Sequence, residues 1–93
     1  MDLHDAALEN IAVSWGDTTA TLRFLTQEGP VCLVARGLRS LSVAMEEPWG
    51  PSVSVNELRG PEEAAGDVSR WVIEMQSGDL VELVAERLDV EPS

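Results

Sequence analysis

The sequence predicts an all-β fold: a single antiparallel domain over residues 1–93, with about six to seven short strands and little or no helix. Three observations predict it. Apolar and polar residues alternate with period two through most of the chain, the pattern of half-buried strands. Turn signals built on Gly, Asp and Pro interrupt that alternation about every 8 to 12 residues. Threonines sit among the alternating residues, where their branched side chains favour strand over helix. Sandwich and partly open barrel both satisfy this pattern, and it does not choose between them.

The elements follow in order. Ile11, Val13 and Trp15 alternate with Asn10, Ala12 and Ser14, and this apolar stripe is expected to face the core, Trp15 included. Trp15-Gly16-Asp17 then turns the chain, and Ala20, Leu22 and Phe24 alternate with Thr19, Thr21 and Arg23, making a hairpin. Gln27-Glu28-Gly29-Pro30 breaks the chain before Val31, Leu33 and Ala35, and Gly37 punctuates it again before Leu41, Val43 and Met45. A stiff corner, Pro48-Trp49-Gly50-Pro51, precedes a short strand of Val53 and Val55 alternating with Ser52, Ser54 and Asn56. Residues 57–67, ELRGPEEAAGD, are polar, carry two glycines and a proline, and read as a surface loop. The clearest hairpin closes the chain. Trp71, Ile73 and Met75 form one apolar stripe, Ser77-Gly78-Asp79 turns, and Val81, Leu83 and Ala85 form the other. The apolar parity then shifts to Leu88 and Val90, which a bulge near Glu86-Arg87 explains.

Length and composition bound the functional classes. A chain of 93 residues buries about 60–65% of the surface its unfolded form exposes, so the core is limited. Cys32 is the one cysteine and cannot form an internal disulfide; with no apolar run near membrane length and no signal-peptide pattern at the start, a reducing cytoplasmic location is expected. Seventeen acids against six basic residues, all arginine, give a net charge of −11. Residues 46–93 carry twelve of those acids and three of the arginines. Such a surface lacks the cationic face that nucleic acid or an anionic membrane requires, and it steers basic protein partners inward.

Candidate chemistry is sparse. His4 is the one histidine, and His4-Asp5 invites a general-base or metal reading. A zinc site needs three or four ligands, and one His with one Cys 28 positions away does not supply them, so no metal and no cofactor is expected. The plainer role is local: Asp5 bonding nearby backbone and fixing the start of the first strand. Cys32 reads as a small space-filling side chain. Glu74, Glu82 and Glu86 fall at outward positions of the last hairpin as an acidic stripe, which Arg23 and Arg36 are placed to neutralise across the sheet. No catalytic set, glycine-rich phosphate loop or nucleophile elbow is present, so the protein is not expected to be an enzyme. Trp49 on its corner suits either an interface anchor or a lid over the core.

A resemblance adds to this reading. His-Asp-Ala-x-Leu near the start, the TATLRF strand, VCLVARGLRSLSV with its Gly-Leu-x-x-Leu junction, the Asn of SVSVN and the IEMQSGDLVELVAERLDV hairpin together resemble small bacterial all-β domain proteins of uncharacterised function. They are also similar to immunity proteins of bacterial toxin systems. The resemblance implies an all-β fold and, for some members, tight binding to a secreted toxin domain, with His4, Asp5 and Asn56 at the matching polar positions. The PWGPS corner and the ELRGPEEAAGD stretch lie outside that pattern. The resulting expectation is a non-catalytic acidic interaction domain, immunity-like, neutralising a basic protein partner as a monomer or homodimer and binding no nucleic acid or membrane. The alternative is a small ligand-binding or structural β-domain with a pocket near Trp49, His4 and Asn56. Candidate binding residues are therefore His4, Asp5, Trp49 and Asn56.

Overall fold

The computed structural model describes residues 3–44 and 54–92. Six strands run in chain order: β1 (Ala7–Ser14), β2 (Thr19–Thr26), β3 (Gly29–Val43), β4 (Val55–Ala65), β5 (Val68–Met75) and β6 (Leu80–Pro92). They form one antiparallel sheet in the order β1-β2-β3-β6-β5-β4. Two meanders, β1-β2-β3 and β4-β5-β6, are thus joined along the long β3–β6 ladder.

Alternation decides which face is buried. Leu22 and Phe24 of β2, Leu33 and Ala35 of β3, Trp71, Ile73 and Met75 of β5, and Val81, Leu83 and Ala85 of β6 all belong to one core cluster. Leu8, Ala20, Val55 and two residues ahead of the first strand, Leu3 and Ala6, complete it. A single sheet can bury one face this fully only by curling on itself, and each large side chain it encloses contributes about 1.5–3 kcal/mol. The two outer strands approach at one end. Ala7 bridges Ser54, the Asp5 amide donates to the Val55 carbonyl at 2.9 Å, and the Val55 amide donates to the Ala6 carbonyl at 2.8 Å. No ladder joins β1 to β4 among the described residues, so the sheet is a partly open barrel rather than a sandwich.

Four sequence expectations are corrected. Residues 57–67 do not form a surface loop: β4 runs through Ala65, paired with β5. It breaks register three times, between Val55 and Glu57, Arg59 and Glu62, and Glu63 and Ala65, and these irregularities accommodate the Gly and Pro. Gly37 does not end a strand. It adopts φ +65°, and a register shift between Leu38 and Ser40 lets β3 bend and continue for 15 residues, merging two expected strands. The register shift on the β3–β6 ladder lies on β3, across from Ala85 and Val84, and none falls at Glu86-Arg87, where the bulge was expected. Finally, Trp15 is not in the core. β1 ends at Ser14, and Trp15 is 89% exposed in the turn before β2, whereas Trp71 is 8% exposed, as its stripe predicts.

The closing hairpin turns as its sequence indicates. Gly78 takes φ +96°, its amide donates to the Met75 carbonyl at 2.9 Å, and the Met75 amide donates to the Asp79 carbonyl at 2.9 Å. Asp79 is buried, and its backbone N–H is capped by the Ser77 hydroxyl at 3.3 Å.

Candidate functional site

Three of the four residues singled out from sequence converge. His4 and Asp5 lie ahead of β1, and Asn56 is the second residue of β4. His4 Nδ1–H donates to the Asn56 carbonyl at 2.8 Å, and His4 Nε2 stands 3.6 Å from Asp5 Oδ2. Gln76 Nε2 donates to Asp5 Oδ1 at 2.6 Å, and Asn56 Nδ2 donates to Glu74 Oε1 at 3.0 Å. Asp5 adopts φ +68°, a conformation that aspartate tolerates better than most residues. The arrangement is a polar tether: it fastens the N-terminal segment to β4 and to the end of β5, with the Asp5 carboxylate accepting from a side chain 71 positions away where a bond to nearby backbone was expected. Trp49 lies outside the described residues.

Beside the tether is a cleft of about 700 Å³. Leu3, Val31, Val90 and Pro92 give it an apolar lining, and His4, Asp5 and Glu28 stand among its polar residues. Asn56 does not line it. The residues that the alternative reading places around one pocket therefore split, with His4 and Asp5 at the cleft and Asn56 beyond it.

A second concavity, about 630 Å³, lies on the outward face of β2, β3 and β6, where Thr19, Thr21, Cys32 and Val34 form the strip and Asp17 stands at the turn. Cys32 is half-buried there, opposite Arg23 on β2 and Glu91 on β6. Arg36 flanks the groove. Its Nε donates to Asp89 Oδ2 at 2.8 Å and its Nη2 to Glu91 Oε1 at 2.9 Å, while Arg87 Nε reaches the same Asp89 oxygen at 3.1 Å. The hydrogen bond from Arg36 holds the Asp89 carboxyl below its ordinary value; desolvation opposes that shift and the Arg87 charge adds to it. The same two hydrogen bonds raise the Arg36 guanidinium further.

Two of the three acids in the stripe are paired with arginines other than those expected. Glu82 pairs with Arg70 and Glu86 with Arg39, at 3.4 Å for the latter, and Glu74 accepts from Asn56. Arg23 instead pairs with Glu9 at 3.1 Å, and Arg36 with Asp89 and Glu91. Arg59 lies 3.9 Å from Glu57. Each of the six arginines thus has a carboxylate on its own surface. Among the described residues no group of three or more His, Cys, Asp or Glu side chains is placed to hold a metal ion.

Trp15 is what sequence reasoning missed, because the apolar alternation was carried one step past the strand end. The signal was present in Gly16-Asp17, which places the tryptophan at the turn rather than on the stripe.

No protein-family model matches the chain, and no curated protein matches it. Among solved structures, the fold is similar to that of an uncharacterized protein from Neisseria gonorrhoeae, with a TM-score of 0.64 and 19% sequence identity, covering 97% of this chain and 93% of that one. At that identity the likeness shows a shared fold.

Proposed function

We propose that this chain is a non-catalytic protein-interaction domain that binds a basic protein partner, in the manner of the immunity proteins its sequence resembles. The observation that carries the reading is the charge arrangement. All six arginines are matched by carboxylates of the same surface, so the excess of eleven negative charges has no arginine to balance it. A partner that supplies that counter-charge gains from steering over about 10 Å at 0.1 M salt. The use of His4 and Asp5 as a tether supports the non-catalytic part of the reading.

The test is reconstitution. A basic protein captured from native lysate at low salt is identified, purified and titrated into this chain by calorimetry at two ionic strengths. The expected result is a stoichiometric complex whose affinity falls as salt rises, and loss of the partner's toxicity when the two are co-expressed supports the immunity reading. If no basic protein is retained at low salt, the reading fails.

The 700 Å³ cleft beside His4 and Asp5 favours a second reading, a small-ligand site. Fragment titration followed by amide chemical shifts separates the two. A ligand that moves Leu3, Val31 and Val90 together supports the cleft, and an unresponsive cleft removes it.

A further inference from the structure

An 89% exposed tryptophan is costly in a protein with four aromatic residues, because the same indole buried at Trp71 contributes to the core. Trp15 is nonetheless held out on a well-fixed turn. The Thr18 amide donates to the Trp15 carbonyl at 3.3 Å, and the Ser14 hydroxyl donates to Asp17 Oδ2 at 3.2 Å. The Thr18 hydroxyl donates to the Asp17 carbonyl at 2.7 Å. The Leu38 amide, at the irregular bend of β3, donates to the Thr18 carbonyl at 2.8 Å and so moors the turn to the neighbouring meander strand. Thr18 sits at φ +52°, a strained conformation for a β-branched residue that these bonds maintain. Fixing the turn beforehand lowers the ordering cost of any complex it enters.

Its surroundings define the partner. Val13, at the end of β1, is 41% exposed beside the turn, and the Asp17 carboxylate on the same turn accepts from Ser14, with no arginine pairing to it among the described residues. The outward groove begins at Asp17 and continues along Thr19, Thr21 and Val34. Arg36 at its flank does not repel a cation, since Asp89 and Glu91 already occupy it. An indole face next to a carboxylate matches a guanidinium: the ring quadrupole attracts the cation, and arginine stacks on it better than lysine.

We infer that the Trp15–Thr18 turn is the docking point for an arginine of a basic protein partner, with Trp15 receiving the guanidinium face and Asp17 its charge. The inference rests on the acidic-interaction reading above and names the site within it.

An oligo-arginine peptide titrated into the full chain tests it, with the indole N–H signals of the three tryptophans followed by NMR and Trp15 assigned through Trp15→Phe. At low salt, the Trp15 indole and Asp17 amide are expected to shift saturably, and the Trp71 indole to stay in place. Trp15→Ala is expected to keep the wild-type unfolding midpoint and to weaken peptide binding by about 2- to 5-fold, the range of an exposed cation–π pair. Asp17→Asn is expected to weaken it further and to flatten its salt dependence. Unchanged peptide affinity in Trp15→Ala overturns this site while leaving the acidic-interaction reading standing. Absence of binding at low salt overturns both. A Trp15 signal that moves with protein concentration alone, with a dimer in sedimentation, overturns the inference in favour of self-association.

Discussion

Replacing Gly60 with alanine tests whether β4 is held as tightly as its ladder implies. Gly60 sits mid-strand at φ +118°, where side chains are rarely tolerated, and a Cβ there would lie 2.7 Å from the Arg70 carbonyl oxygen. It would also stand 3.0 Å from Trp71 Cδ1 and 3.1 Å from Trp71 Cα. The closest atom is backbone of β5, which is paired on its other side with β6, so relief requires strand displacement. Backbone strain of about 1–3 kcal/mol adds to about 1–3 kcal/mol for overpacking, giving a loss of roughly 2–6 kcal/mol. Against a total stability of about 5–14 kcal/mol for a chain of this length, that is a large fraction. Two controls separate the causes. Gly66 has φ +60° but open space for a Cβ, so Gly66→Ala is expected to cost about 1–2 kcal/mol from conformation alone. Gly16 has neither restriction, and Gly16→Ala is expected to change stability by less than about 0.5 kcal/mol. Urea unfolding followed by tryptophan fluorescence measures all three, with unchanged m-values confirming the comparison. A Gly60→Ala loss no greater than that of Gly66→Ala would refute the close approach of β4 and β5.

Phe24 is fully buried on a central strand, so Phe24→Ala is expected to lose about 3–5 kcal/mol in the same unfolding assay, and a loss under 1 kcal/mol would show that the core is not where the sheet places it. Gln76→Ala removes the amide that donates to Asp5, and the Asp5 and Val55 amide protons are then expected to exchange faster while those of β2 and β6 do not. The Asp89 carboxyl is held below its unfolded value, so its stabilising effect is present above the ordinary carboxylate pKa of about 3.9 and is lost as pH falls through the folded value. Carboxyl NMR is expected to show Asp89 titrating at higher pH in Arg36→Met than in the parent, with Arg87 leaving a residual depression; an unmoved titration would mean that Arg36 is not the cause.

Much of the sheet is legible in the sequence because β2 and the first half of β6 bury every second residue and leave the others half-buried, and β5 buries Trp71, Ile73 and Met75 in the same rhythm, which writes alternation into the residues. β4 is the counter-example. Val55 is buried and Leu58 half-buried, but every residue from Arg59 through Ala65 is exposed, so this outer strand has no buried face to announce it and its Gly-Pro step reads as loop. The merger of two strands into β3 was hidden for a related reason. A glycine that ends a strand and one that bends it look alike until the partner strand is known, and here β6 continues past the bend. At the candidate site, residue identity was readable but the contact was not. His4 reaches Asn56 through a backbone carbonyl 52 positions away, a group every residue carries. The exposed Trp15 depended on where β1 stops, which is settled by one turn and not by the stripe.

The order of the strands also sets how the chain reaches this state. Hairpins β1–β2, β2–β3, β4–β5 and β5–β6 each close over a short turn and can form independently. The seam between the two meanders pairs Val43 with Val81 at one end and Val31 with Pro92 at the other, so it must gather segments far apart in the chain. Loop-closure entropy rises with that separation, and distant pairings slow folding across proteins generally. The β3–β6 seam is therefore the step that governs the folding rate. Truncations there, at Leu33 or Leu83, are expected to slow refolding in stopped-flow fluorescence, whereas equally destabilising changes confined to the outer hairpins are expected to accelerate unfolding instead.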